Sequence, residues 1–124
     1  MENNFQWILG KSIQSIHLKR DENYNDNIIS IYLTIDNKTF VVSVDDETDT
    51  IVINSVIDKN NEYKEDLLFS QLFAGKKIVS FWQPINNLGY NDVFILGLDK
   101  FVPTHLFSVI ASCITINIIK QIDN

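Results

Sequence analysis

Apolar and polar residues alternate through much of this chain, and the alternation places strands. The clearest stretch is Ile28 to Ile35, where Ile29, Ile31, Leu33 and Ile35 point one way and Ser30, Tyr32 and Thr34 the other. Asp36-Asn37-Lys38 follows as a tight-turn signal, and Thr39 to Val44 resumes with Phe40, Val42 and Val44 on one face. Asp45 to Asp49 reads as an acidic turn before a further strand, Thr50 to Ser55, with Ile51 and Ile53 inward. Upstream, Asn3 or Asn4 can cap a short helix whose Phe5, Ile8 and Leu9 share a face, and Gly10 can end it. Lys11 to Lys19 then forms an imperfectly alternating strand, so the first half is a short helix followed by an antiparallel meander.

After a polar connector, Asp58 to Glu62, the order restarts. Lys64 to Phe73 reads as a helix with Leu68 and Leu72 stacked at i, i+4, and Gly75 closes it. Strands are expected at Lys76 to Gln83, Asp92 to Leu98, Thr104 to Ala111 and Cys113 to Ile119. The last two resemble a buried helix by apolar content, but β-branched enrichment and the alternation of Ile114, Ile116 and Ile118 favour strands. The near-continuous apolar run Val93 to Leu98 predicts a strand covered on both faces.

Short strings also recur. Gly10-Lys11-Ser12-Ile13 reads against Gly75-Lys76-Lys77-Ile78, an offset of 75 − 10 = 65, and Tyr24-Asn25-Asp26 returns as Tyr90-Asn91-Asp92. Ile13/Ile16 and Ile78/Phe81 share a spacing of three, which suits a bulge within a strand. The expected fold is a single α+β domain over 1–124, mainly antiparallel β, with about eight strands and two short helices. Its pseudo-repeats would be 1–57 and 62–122.

Composition narrows the class. The 124 residues are 45% hydrophobic, ordinary for a folded globular chain. No apolar run reaches the roughly 20 residues of a membrane helix, and the first residues lack the basic and apolar regions of a secretory signal. A single cysteine, Cys113, excludes an internal disulfide, and a cytoplasmic, bacterial protein is expected. A net charge of −6 speaks against binding a phosphate backbone and is compatible with a basic protein partner.

Catalytic constellations are missing from the pattern. His17 and His105 show no spacing to a nucleophile; the former is expected on a strand surface and the latter in a connection beside Pro103. His105 and Cys113 lie eight residues apart, about 26 Å in an extended chain. Cys113 reads as a small buried hydrophobe. There is no phosphate-cradling glycine loop, so no catalytic residue, cofactor or metal is assigned. Asp45, Glu47 and Asp49 alternate as in hard-cation loops, but a calcium loop starting at Asp45 would want Gly and Glu where Thr50 and Val56 stand.

Two surfaces remain. The Asn86-Asn87-Leu88-Gly89-Tyr90-Asn91-Asp92 loop presents amides, a phenol and a carboxylate, with Trp82 just upstream. The same residues also suit a plain turn, with Asp92 bonding backbone amides. The acidic stretch Asp45, Asp46, Glu47 and Asp49 suits a basic partner. Trp82, the Asn-x-x-Gly-Tyr-x-Asp string at 86–92, the Ala111-Ser112 pair and the acidic stretch together resemble a family of small bacterial domains with no established activity. That resemblance implies a domain type and supplies no site residues. The expected function is a non-enzymatic protein-binding module such as a toxin-immunity protein, with Trp82 and Tyr90 as anchors and Asn86, Asn87 and Asp92 beside them. A small-ligand or metal-binding domain using the 86–92 loop or the 45–49 turn is the alternative, and an apolar outer face or open edge would support a homodimer.

Overall fold

The computed structural model describes residues 5–23, 26–45, 47–56, 64–85, 88–89 and 91–119. The cap residues Asn3 and Asn4, Tyr24 and Asn25, Asp46, and Asn86, Asn87 and Tyr90 lie outside them. A 3-10 turn, Gln6–Ile8, leads into β1 (Ile13–Asp21), β2 (Asn27–Ile35), β3 (Lys38–Asp45) and β4 (Thr50–Val56). Then come β5 (Lys64–Glu65), α1 (Leu67–Phe73), β6 (Ile78–Trp82), β7 (Val93–Leu98), β8 (His105–Ile110) and β9 (Cys113–Ile118).

The strands form two antiparallel sheets, ordered β4-β3-β2-β1-β5 and β6-β7-β8-β9. β1 to β4 and β6 to β9 each run as a meander, and β5 joins the first sheet antiparallel to β1, out of sequential order. Asp36 and Asn37 both take positive φ between β2 and β3, as do Ala111 and Ser112 between β8 and β9. The architecture is therefore mainly β, with nine strands, one α-helix and a 3-10 turn among the described residues, rather than eight strands and two helices.

One core lies between the sheets. Ile31, Leu33, Ile35, Phe40 and Val42 from the first meet Phe94, Leu96, Phe107, Val109 and Ile114 from the second. Phe94 sits at the centre, 5.8 Å from Phe40 and 6.0 Å from Phe107 between ring centroids. Each such side chain, fully buried, contributes about 1.5–3 kcal/mol relative to exposure. α1 closes one side: Phe73 stacks on Phe107 at 5.9 Å, and Ser70 reaches the backbone of Ile16 on β1.

Bulges decide which residues face inward. β1 and β2 shift register between Lys19 and Arg20, skipping Ile29 opposite Ser30 and Ile28. Ile28 therefore enters the core in place of the expected Ile29, because one extra residue reverses the alternation. The spacing of three at Ile13/Ile16 and Ile78/Phe81 does mark bulges: register shifts fall between Ile13 and Ser15 and between Ile78 and Ser80.

The helices depart further from the pattern. The first is only a 3-10 turn with no side-chain cap; Ile8 is buried, but Leu9 is 39% exposed. α1 starts three residues later than expected, where Asp66 Oδ1 accepts the Phe69 amide at 2.9 Å. With that start Phe69, Ser70 and Phe73 face the protein, and Leu68 is left exposed. Lys64 and Glu65 instead pair with Leu18 and His17 as a strand.

The sheets join where Ser12 bridges Lys77. The Gly10 amide donates to the Ile78 carbonyl, and the Gly75 amide to the Ile13 carbonyl. Likewise Ile13 donates to Lys76, and Ile78 to Lys11. Adding 65 to one member of each pair of bonds gives the other: 10 and 13 become 75 and 78. Gly10 and Gly75 both have positive φ, 81° and 79°, a conformation that carries no Cβ penalty only in glycine.

Candidate functional site

The outer faces of the two sheets differ. On the first, Ser30, Tyr32, Thr39 and Val41 are all buried. On the second, Trp82 pairs with Ile95, Ile95 with Leu106 and Leu106 with Asn117, one continuous rung across four strands. None of these side chains is buried, and Trp82 is 36% exposed. The next rung is Val93, Ser108 and Thr115, the last two joined hydroxyl to hydroxyl at 2.7 Å. Ile110 stands 60% exposed at the end of β8.

This face corrects the expectation that β7 is covered on both sides. Phe94, Leu96 and Leu98 enter the core, while Val93 and Ile95 stay half-buried outside. Among the described residues the backbone comes close at Gly97, where a Cβ would stand 2.7 Å and 2.8 Å from the Lys100 and Val102 carbonyl oxygens. The segment that packs there carries Phe101 and Val102, 80% and 42% exposed.

The acidic turn and the end of the 86–92 loop lie at the same end of the molecule. The Ile51 amide of β4 donates to the Asn91 carbonyl at 2.8 Å, and the Val109 amide of β8 to the Asp92 carbonyl at 3.0 Å. Asp49 Oδ1 accepts the Ser112 amide at 2.7 Å, tying the acidic turn to the β8–β9 hairpin. Trp82 lies on the rung of Ile95, three residues along β7 from Asp92 and so about 10 Å from it. Asn91 Oδ1 is buried without a hydrogen-bond partner, an arrangement that costs free energy unless a donor reaches it.

Much of the acidic turn is committed to its own backbone. Asp45 Oδ1 accepts the Glu47 amide at 3.0 Å, and the Asp45 carbonyl accepts the Asp49 amide. Asp49 holds φ at 55°, which Asp tolerates better than most side chains. Among the described residues no group of three or more His, Cys, Asp or Glu is placed to hold a metal ion. Glu47 and Asp49 remain exposed, Asp45 and Asp92 half-buried.

The histidines lie elsewhere. His105 is not in a connection: it opens β8 and is 5% exposed, its ring 4.6 Å from that of Phe73. Burial, with a smaller contribution from Lys76, pushes its pKa below the ordinary value, while a hydrogen bond to the Leu72 backbone opposes the shift. Nδ1 lies 2.8 Å from Thr104 Oγ1, so the neutral ring is a packed core group. β8 and β9 do fold back on each other, but His105 pairs with Ile118 and Cys113 with Ile110, at opposite ends. Cys113 is half-buried rather than buried, its thiol donating to the Ile110 carbonyl. His17 is half-buried on β1, edge-on to Tyr32.

A charged depression of about 280 Å³ between β1 and β5 went unread in the sequence. In it Arg20 meets Asp66 at 3.4 Å and donates to the Asp26 carbonyl at 3.0 Å. Residues 20, 26 and 66 reach one another only through pairing that no local pattern announces.

No described helix is long and apolar enough to cross a membrane. No curated protein and no solved structure matches the chain. A family model matches residues 1–123, nearly the whole sequence, and the chain belongs to that family, a family of unknown function designated DUF6334.

Proposed function

We propose that this chain is a non-enzymatic protein-binding module, of the kind a bacterial cell uses as a cytoplasmic toxin-immunity protein. The observation that carries this reading is the uncharged outer face of the second sheet. Trp82, Ile95 and Leu106 share a rung there, with Phe101, Val102 and Ile110 exposed around them. Aromatic and aliphatic groups in such a patch supply most of the energy of a protein interface. Glu47, Asp49 and Asp92 lie toward one end, a rim that steers a basic partner toward a chain of charge −6. The 65-residue relation between the two meanders supports reading the fold as a duplicated unit, with this face as the half that diverged toward binding.

The test is binding to the protein encoded beside this gene, measured by calorimetry for the wild type, Trp82→Ala and Glu47→Lys. Trp82→Ala should weaken binding by at least ~30-fold, about 2 kcal/mol for a hot-spot aromatic. Glu47→Lys should mainly slow association and reduce its salt dependence. Unchanged affinity in Trp82→Ala would remove the surface assignment, and no binding by the wild type would remove the immunity reading. A second reading, a small-ligand site at the 86–92 loop, rests on the buried Asn91 Oδ1. It predicts thermal stabilisation by a hydrogen-bond-donating metabolite that Asn91→Ala abolishes.

A further inference from the structure

Ile16 turns its backbone amide and carbonyl away from β2, and both are occupied. The amide donates to Ser70 Oγ at 3.1 Å, and the carbonyl accepts the Asp66 amide at 3.1 Å. His17 and Leu18 then pair with β5, so this edge of the first sheet is closed. The counterpart of Ile16 in the second sheet is Phe81, at 16 + 65.

Phe81 pairs with Leu96, whose carbonyl accepts the Thr104 amide on the β8 side. The amide and carbonyl of one residue in an antiparallel strand point the same way. Leu96 thus faces β8, Phe81 and Leu96 form a non-hydrogen-bonded pair, and the Phe81 amide and carbonyl point to the outer edge of β6. Among the described residues no hydrogen bond reaches them there, and no strand flanks β6 beyond the bridge at Lys77. Where the first sheet holds β5, the second holds an open trough of about 510 Å³, lined by Gln6, Leu9, Val79, Ser80, Phe81 and Gln83. None of these described lining residues is ionisable, in a chain carrying 16 Asp and Glu and 10 Lys and Arg.

The geometry points to a second copy of this chain as the occupant, with β6 pairing antiparallel to β6 of the copy about a two-fold axis near Phe81. Such pairing is self-complementary: each Phe81 amide meets the other copy's carbonyl, and the contact closes as a dimer. Two chains of charge −6 repel, and a contact at which neither presents charge adds nothing to that repulsion. A basic partner, by contrast, finds no counter-charge in this trough. Charged side chains are the usual protection of an edge strand, and β6, Ile-Val-Ser-Phe-Trp, has none. Five residues span only about 17 Å, so the interface is small and the dimer weak. This inference is independent of the binding face proposed above, which is the flat of the sheet and not its edge.

Sedimentation velocity on the full chain, from about 1 µM to about 1 mM, spans weak association. The mass should rise with concentration from 14.3 kDa toward twice that value. In hydrogen exchange, protection of the Phe81 amide should rise in parallel. Leu9→Glu and Leu9→Lys should each weaken the dimer at least several-fold, and an equimolar mixture should restore association, an outcome that misfolding does not produce. A chain that stays monomeric overturns the proposal. So does a dimer whose Phe81 amide exchanges at the monomer rate, or one that both Leu9 variants leave intact, since such a dimer uses another surface.

Discussion

Ser70→Ala tests how α1 is fixed to the first sheet. Ser70 is 8% exposed and bonds one residue twice: it accepts the Ile16 amide at 3.1 Å and donates to the Ile16 carbonyl at 3.3 Å. Alanine keeps the volume nearly constant and favours the helix, so packing and propensity do not obscure the result. The carbonyl retains the Asp66 amide as a donor, whereas the Ile16 amide loses its acceptor in a buried place. An orphaned buried donor costs about 1–3 kcal/mol. For a chain of this length about 2 kcal/mol lowers the melting temperature by roughly 6–12 °C. Urea denaturation should show the midpoint fall with m unchanged, and the Ile16 amide should exchange faster than its neighbours on β1. A loss under about 0.5 kcal/mol, with Ile16 still protected, would refute the claim that the hydroxyl closes this edge.

Substitutions at four further positions separate sterics, conformation, hydrogen bonding and charge. Gly97→Ala places a Cβ 2.5 Å from Ser80 Oγ and under 3 Å from two backbone carbonyls; the cost should reach about 3 kcal/mol, and Ser80→Ala should not recover it, because the carbonyls remain. Gly75→Ala, with φ at 79° and nothing near the new Cβ, should cost only the conformational strain of about 1–2 kcal/mol, and denaturation midpoints that rank the two equally would contradict this. Asp49→Ala removes the acceptor of the Ser112 amide at an exposed turn, so about 1 kcal/mol should be lost on chemical denaturation, and Asp49→Asn, which keeps an oxygen and tolerates positive φ, should lose less. His105 has a folded pKa lowered from 6.5, by burial first and Lys76 second. Its neutral form is thus favoured in the folded state: stability is full above pH 6.5 and falls as pH drops through 6.5 toward the folded pKa, because the unfolded chain takes up the proton first. His105→Gln should flatten that decline in a denaturation series between pH 7 and 5.5, and an unchanged slope would deny His105 its part.

Period-two patterning made both meanders legible, because each strand buries one face against the same core. It failed where that premise failed. Ile29 and Ile28 differ in nothing a pattern can weigh; the bulge between Lys19 and Arg20 chose between them, and a bulge is a property of two strands. Leu68 and Leu72 had the right spacing for a helix face, yet with the start set by the Asp66 cap Leu72 packs on the core beside Phe69, Ser70 and Phe73, while Leu68 is left exposed. Of the candidate site, the sequence named Trp82 and the acidic turn as chemistry but not as neighbours. Ile51 bonding to Asn91, and Asp49 to Ser112, bring segments some 40 and 63 residues apart to one end of the sheets. The cross-strand rung of Trp82, Ile95 and Leu106 is equally non-local. The offset of 65 residues coincides with the contact that joins the sheets, where Ser12 bridges Lys77 and the Gly10 and Gly75 amides donate to Ile78 and Ile13. Its greater use lies where the two sheets differ. Ile16 has its edge filled by Ser70, Asp66 and β5, whereas among the described residues nothing fills the edge at Phe81, so setting the two sheets side by side locates an edge that neither would reveal alone.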